Sequence, residues 1–212
     1  MTKTDHEREF ECAWKDPGNT RFEWPPIEVN RVLEARYSTS GSPTFTRAMM
    51  WDMEALKASK PDIYIPSVVR QRSAHAWGKR VAADGTESFS RSSQQRRWLA
   101  SAEYGLVLEQ VHLAPAQLRV TFIGAAELQD EEGRLTRAGT AQPLFHVQHS
   151  VGGDETHPSS NWRIVHLTDR PLPALIERFT AMAGEVWLPE FIEIYIRRNL
   201  NIELRRSHAI AV

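Results

Sequence analysis

Pro143–Asp169 reads PLFHVQHSVGGDETHPSSNWRIVHLTD, and this stretch decides the fold. Two apolar segments, Leu144–Val151 and Trp162–Thr168, flank a polar loop, and polar residues alternate with apolar ones in both. Alternation of this kind predicts two β-strands, each with one face toward a core. Consecutive strands with a direct connection usually pair antiparallel, so we expect a hairpin here.

Histidines lie among the apolar positions of both predicted strands. Alternation puts His149 on the more apolar face of the first strand, and it puts His166 on the same face as Trp162 in the second, while His146 faces outward. If the hairpin aligns these faces, His149 and His166 enter one apolar space, although a one-residue slip would separate them. Because histidine titrates near neutral pH, we predict His149 and His166 as a catalytic acid and base. A pair of hydrogen-bonded core histidines is the open alternative.

More strands are predicted on the N-terminal side of this hairpin. The predicted segments are Ile27–Tyr37, Asp62–Val69, His75–Ala82, Thr86–Trp98, Tyr104–Leu113 and Gln117–Ala126. The first of them also fits a helical face through Val29 and Leu33, so helix competes with strand there. Pro66 restricts the second to a sheet edge or a bulge, because proline donates no ladder hydrogen bond.

Helices are predicted in two places. A stripe of apolar residues at spacings of three and four begins after Pro43 and ends at Lys60–Pro61. A second helix begins near Pro171, and Gly184 ends or bends it. The residues from Leu188 to Arg206 fit either a helix or a hairpin, and helix is favoured after Pro189.

This order of elements predicts an α+β fold. We expect one curved antiparallel sheet of about six strands, packed against helices and enclosing an apolar pocket. Residues 1–20 are predicted to form a polar, loosely attached N-terminal arm, and residues 21–212 a single domain with a C-terminal helical segment at 171–206. The residues predicted to line a ligand pocket are Met49, Met53, Tyr64, Trp77, Phe145 and Trp162.

Composition restricts the function classes. The formal net charge is -1, which disfavours nucleic-acid binding because such proteins usually carry a basic excess. No apolar run reaches the roughly 20 residues that span a bilayer, so no membrane role is expected. The lone Cys12 fits a reducing, cytoplasmic and bacterial-type setting. Nucleotide-binding glycine loops, hydrolase elbows and metal-ligand spacings are absent, so we expect no cofactor and no metal.

The run HVQHSVGGDETHPSSNWRIVHL resembles the terminal hairpin of the nuclear transport factor 2-like superfamily, in which a late strand often carries a Trp-Arg-Ile sequence such as Trp162–Ile164. The resemblance covers roughly residues 100–169 and implies a cone-shaped α+β domain with a ligand cavity. Those domains usually start with two or three helices. A helix-grip domain of the lipid-transfer or pollen-allergen type is the rival, since it begins with a strand and ends with a helix.

Two functions remain open on the sequence. The first is a pocket protein for a small-molecule ligand, which could be a cofactor-independent lyase, isomerase or cyclase that uses histidine acid–base chemistry. The second is a non-catalytic subunit or adaptor, in a homo-oligomer or with a partner protein. The second rests on the abundance of tryptophan and on the arginine-containing C-terminal segment, because tryptophan and arginine are enriched at interface anchors.

Overall fold

The computed structural model describes residues 5–41 and 43–207. Its helices are α1 (Asp5–Lys15), α2 (Val29–Arg36), α3 (Arg47–Ser59), α4 (Pro61–Tyr64), α5 (Pro173–Ala183) and α6 (Glu190–Arg198), with a short 3-10 turn at Pro115–Gln117. Its strands are β1 (Thr20–Glu23), β2 (Ile27–Glu28), β3 (Tyr37–Thr39), β4 (His75–Val81), β5 (Glu87–Arg96), β6 (Tyr104–Ala114), β7 (Arg119–Ala125), β8 (Glu127–Gln129), β9 (Leu135–Arg137), β10 (Phe145–Gly153), β11 (Pro158–His166) and β12 (Leu204–Arg206).

One large antiparallel sheet organises the chain. Its strands lie in the order β1-β11-β10-β7-β6-β5-β4, and β2 also pairs with β11, so the sheet has eight strands. Two small sheets, β3 with β12 and β8 with β9, complete the described part of the chain. The predicted α+β class, with an antiparallel sheet against helices, is confirmed, and the sheet has more strands than expected.

The hairpin of β10 and β11 has the alignment that places both histidines on one face. His149 is opposite Trp162, and Phe145 is opposite His166. Directly opposite residues share a face of a sheet, so His149 and His166 both point to the inner side. The connecting loop is shorter than predicted, because pairing continues to Gly153 and Pro158. Gly153 has φ +73°, and a Cβ there would lie 1.9 Å from the carbonyl oxygen of His157, so the turn requires glycine.

The inner face of the sheet carries the core, and α2, α3, α5 and α6 cover it. Phe122, Phe145, Val147 and Ile164 belong to one buried cluster with Phe179 of α5. A second cluster joins α2, α3 and α6. Burial of this apolar surface is the main stabilising contribution expected for such a layered fold.

The outer face of the sheet is covered by α1. Phe10 is fully buried and packs against Ile123 of β7 and Val165 of β11. Two ion pairs join the helix to the sheet, between Glu7 and Arg119 at 3.1 Å and between Glu11 and Arg163 at 3.0 Å. The structure therefore differs from the predicted loose arm at 1–20, of which residues 1–4 lie outside the described ranges.

Two predicted strands have other structure instead. Within Ile27–Tyr37, only two residues at the start and one at the end are extended, and Val29–Arg36 forms α2. The helix begins there because the Glu28 side chain accepts hydrogen bonds from the backbone N–H groups of Asn30 and Arg31. This cap satisfies donors that a strand would have paired elsewhere. Asp62–Val69 lies mostly in α4 and the turns after it, since Pro61 occupies a first-turn position of a helix.

The C-terminal segment resolves into α5 and α6 followed by β12. Helix was the favoured alternative for the residues after Pro189, and α6 confirms it. The sheet begins with a strand, β1, that pairs with the last long strand, β11, and helices follow that strand. This arrangement supports the helix-grip resemblance at the level of fold. It corrects the nuclear transport factor 2-like resemblance, which implied two or three helices before the sheet, because only α1 precedes β1 in the described part of the chain. Of the described helices, none has the length and apolar character needed to cross a membrane.

Candidate functional site

A cavity of about 720 Å³ lies between the inner face of the sheet and three helices. Residues of α2, α5 and α6 form one side, and β11 together with the end of β5 forms the other. The volume is within the range of about 300–1,000 Å³ that is typical of small-molecule sites. The described residues thus include a space large enough for a multi-ring ligand.

Aromatic side chains form much of the cavity wall. The aromatic lining residues are Trp24, Trp98, Trp162, Trp187 and Phe191. The indoles of Trp24 and Trp162 stack with ring centroids 3.9 Å apart, and Phe179 packs on Trp24 and Trp98 edge-on. Rings that support one another in this way give the wall a fixed shape.

Behind this wall lies a cluster of three buried polar side chains, which we call the Glu54–Lys57–His149 cluster. The Lys57 Nζ atom lies 2.7 Å from Glu54 Oε2 and 3.0 Å from His149 Nδ1. Glu54 Oε1 is 3.5 Å from the same His149 nitrogen. The three side chains are at most 8% exposed, so their charges are screened little by water.

Each member of the cluster alters the titration of the others. Burial alone would raise the pKa of Glu54, but Lys57 and His149 outweigh it and hold that pKa at about 2. Burial lowers the pKa of Lys57 against the opposing effect of Glu54. Burial and the neighbouring Lys57 lower the pKa of His149, so its imidazole is neutral near pH 7. Because an ammonium only donates, His149 Nδ1 accepts, and the ring proton is on Nε2.

Contacts connect the cluster to the cavity. The His149 ring stacks on Trp162 with centroids 5.2 Å apart and meets Phe191 edge-on at 6.0 Å. The ammonium of Lys57 also lies over the Phe191 ring, 3.8 Å from its centroid. Trp162 and Phe191 line the cavity, whereas His149 does not. A displacement of the Trp162 indole would therefore be needed to bring a ligand against the imidazole.

His166 occupies a separate place on the same face. It lies four register positions from His149 along the hairpin, which corresponds to about 13 Å of strand. Its Nδ1 is 3.4 Å from the Pro143 carbonyl oxygen, and its ring packs between Phe145 and Phe179. Burial lowers the pKa of His166 to about 4. The structure thus puts both histidines on one face without bringing them to one centre.

The six predicted ligand-lining residues have different locations. Trp162 lines the cavity. Met49, Met53 and Tyr64 belong to the core between α2, α3 and α6, where the Tyr64 hydroxyl donates to Asn199, and Phe145 packs beside His166. None of these four contributes to the cavity wall, because their side chains are used in the packing of helices and sheet.

Trp77 lies on the other side of the sheet, so its placement corrects the prediction that it lines the pocket. It pairs with Ser90, whose neighbours Phe89 and Arg91 point inward, and its Nε1 donates to the Gln129 carbonyl oxygen of β8. His146 is likewise on the outer face, as alternation predicted, but it is only 2% exposed because α1 covers it.

Sequence reasoning missed two residues of the cluster. Glu54 and Lys57 have the three-residue spacing of an ordinary surface ion pair on a helix. The structure buries both because α3 is packed on two sides, by the sheet and by α6. No signal in the sequence separates this pair from a solvated one. Among the described residues, no group of three or more His, Cys, Asp or Glu side chains is arranged to hold a metal ion.

Comparison with known proteins gives likeness of structure only. No protein-family model and no curated protein matches the chain. Similar solved structures include TTHA0849 from Thermus thermophilus, with 12% identity, a TM-score of 0.47 and coverage of 86% of this chain and 97% of that one. Another is the Zhui aromatase/cyclase from Streptomyces sp. R1128, with 9% identity, a TM-score of 0.47 and coverage of 84% and 95%. A third is Ara h 8.0201, with 12% identity, a TM-score of 0.46 and coverage of 84% and 95%. The function is therefore argued from the residues of this chain.

Proposed function

We propose that this protein binds a small apolar molecule with an aromatic or multi-ring body in the cavity between the sheet and α2, α5 and α6. The observation that carries the proposal is the wall of four tryptophans and Phe191 around about 720 Å³. Burial of apolar surface supplies roughly 25 cal/mol per Å², so a ligand of two or three rings gains enough to bind at micromolar concentration. Stacking on the flat indoles adds a preference for planar rings.

A fluorescence titration tests this proposal. The probe is N-phenyl-1-naphthylamine, an uncharged aromatic amine whose emission rises in apolar surroundings. In the variant Ala35→Trp, a large side chain enters the cavity from α2, because Ala35 is a lining residue on the exposed side of that helix. We expect this variant to bind the probe about ten-fold more weakly, since the ligand and the indole compete for one space.

The matched control is Glu34→Trp. Glu34 is the exposed neighbour of Ala35 on the same helix and does not line the cavity. This control should bind the probe as the wild type does. Equal affinities of the wild type and both variants would contradict binding in this cavity, and absence of probe binding by the wild type would contradict the binding function.

A second candidate function, acid–base catalysis by His149, is favoured by the Glu54–Lys57–His149 cluster. Lys57 at 3.0 Å fixes the tautomer in which Nε2 carries the proton, and the Glu54 carboxylate, 2.7 Å from the ammonium, holds Lys57 in this position. In this proposal, the neutral His149 donates a hydrogen bond from its Nε2–H group to a ligand carbonyl oxygen, and the polarised carbonyl loses an α-proton to a solvent base during an isomerisation, dehydration or cyclisation. The predicted role of His166 as partner becomes secondary, because it is about 13 Å further along the strands.

Deuterium exchange into a bound ketone tests the catalytic candidate. In D₂O, the methyl protons of 2-acetylnaphthalene exchange when a hydrogen bond polarises the carbonyl and a solvent base removes an α-proton. We expect the wild type to accelerate this exchange, His149→Gln to abolish the acceleration, and His166→Gln to keep it. Ketone binding without acceleration would contradict catalysis and leave the binding function standing.

A further inference from the structure

Arginine side chains are concentrated around the aromatic cavity. The charged lining residues are Arg31, Arg36, Arg96, Arg97 and Arg178, together with Glu28, Glu185 and Glu190. Five arginines against three glutamates give the lining a net charge of +2, whereas the whole chain has -1. The cationic groups come from α2, from the end of β5 and from α5, so they surround the cavity on several sides.

Most of the arginine charge is not neutralised by the lining carboxylates. In the described part of the chain, Arg31, Arg36 and Arg178 have no carboxylate within ion-pair distance. Two of the three glutamates are engaged elsewhere, because Glu28 caps α2 and Glu190 accepts from the backbone N–H and the hydroxyl of Ser67. Glu185 is the remaining carboxylate. The cavity therefore has a surplus of unpaired guanidinium groups.

A buried donor in the wall points to the same chemistry. Trp162 Nε1 is buried and has no hydrogen-bond partner in the protein. Trp162 lines the cavity, and an indole N–H group can only donate. A buried donor without a partner costs free energy, which a ligand oxygen would recover.

We propose that the ligand carries an anionic oxygen group, such as a carboxylate or sulfonate, on its apolar body. This inference rests on the proposed binding function and names the class of ligand for the same cavity. The apolar body contacts the tryptophans, while the anionic group binds the guanidinium groups of Arg31 and Arg178. Guanidinium matches a two-oxygen anion through paired donors, and such charge-assisted hydrogen bonds are about twice as strong as neutral ones.

Two probes with nearly the same ring system test the proposal. One is 8-anilinonaphthalene-1-sulfonate, and the other is the uncharged N-phenyl-1-naphthylamine. We expect the wild type to bind the sulfonate more tightly than the uncharged probe. In the double variant Arg31→Gln/Arg178→Gln, sulfonate affinity should fall about ten-fold, while affinity for the uncharged probe stays within about two-fold. Raising the salt concentration should weaken binding of the sulfonate alone.

The control variant is Arg137→Gln, which removes one arginine from the exposed β8–β9 hairpin, where its partner is Glu127 at 3.5 Å. It should leave the affinities for both probes unchanged. If both probes bind equally well and the double variant changes neither, the anionic class is wrong and the cavity proposal stands. If neither probe binds the wild type, the cavity proposal itself fails. A fall of equal size for both probes in the double variant would also overturn the anionic class, because it would indicate lost packing rather than lost charge.

Discussion

Lys57 is the buried cation around which the polar cluster is built. It is 4% exposed, and its charge is balanced by Glu54, by the lone pair of His149 and by the face of Phe191. Removing one partner of a buried charge pair leaves the other without compensation. We therefore expect Lys57→Met to lower the free energy of unfolding by about 3 kcal/mol, measured by urea denaturation.

The control for this prediction removes both charges. Glu54→Leu/Lys57→Met should lose less stability than Lys57→Met alone, because no carboxylate is then buried without its cation. If the single variant were as stable as the wild type, Glu54 and Lys57 would not form the buried pair described above.

His166 predicts a dependence of stability on pH. Its pKa is lowered to about 4 in the folded state, compared with 6.5 as its ordinary value. The unfolded chain therefore binds a proton that the folded one does not between these two values. Stability from this group is fully present above pH 6.5 and is lost as pH falls toward 4, by roughly 3 kcal/mol at most. His166→Gln should flatten the curve of unfolding free energy over this window, and parallel curves for both proteins would contradict the prediction.

For single residues, the alternation of polar and apolar positions predicted more of the site than the amino-acid composition did. It placed His149, His166 and Trp162 on one inner face, because period-two alternation defines a strand face from the sequence alone. It could not reveal Glu54 and Lys57, whose burial depends on what packs against α3. Nor could it show that the Met49 and Met53 stripe faces other helices rather than the cavity.

Among the elements, α1 is attached to the rest of the protein mainly at the outer face of the sheet. Its docking depends on Phe10, which is 0% exposed between Ile123 and Val165, and on two ion pairs to β7 and β11. Because α1 covers only the outer face, losing it leaves the inner core intact. Local undocking of a terminal helix needs less free energy than global unfolding.

Phe10→Ala is expected to release α1 and spare the sheet. The truncation removes a large buried aromatic contact, worth about 3 kcal/mol or more in a well-packed site. Hydrogen-exchange mass spectrometry should show faster exchange across Asp5–Lys15 and unchanged exchange in β5 and β6. Cys12→Ser, an exposed position on the same helix, is the control. Uniformly faster exchange throughout the protein would mean that α1 is part of the global folding unit.

The element most clearly mispredicted was α2, and the reason is physical. Val29 and Leu33 are four residues apart, so they share both a strand parity and a helix face. The Glu28 side-chain cap and the packing of Val29 and Leu33 into the helical core decide for helix. The spacing of apolar residues in the sequence cannot show such tertiary contacts. This element matters for function, because Arg31 and Ala35 of α2 line the cavity.

For the whole molecule, the sequence predicted an α+β fold with a pocket but not the position of that pocket. The cavity is formed by segments distant in the chain, from Trp24 through Trp98 and Trp162 to Phe191. Only pairing of β1 with β11, and packing of the last two helices against that edge, brings these aromatics together. The pairing of strands that are far apart in the chain depends on long-range contacts, which a short stretch of sequence does not reveal.

The central claim is that an apolar ligand occupies this cavity, and methionine methyl groups report on it directly. Met182 lines the cavity, whereas Met50 and Met53 are fully buried in the core between helices. In a protein labelled with ¹³C at the methionine methyls, N-phenyl-1-naphthylamine should shift the Met182 resonance and give nuclear Overhauser effects to it, with Met50 and Met53 unchanged. Shifts at Met50 or Met53 with an unaffected Met182 would contradict the claim.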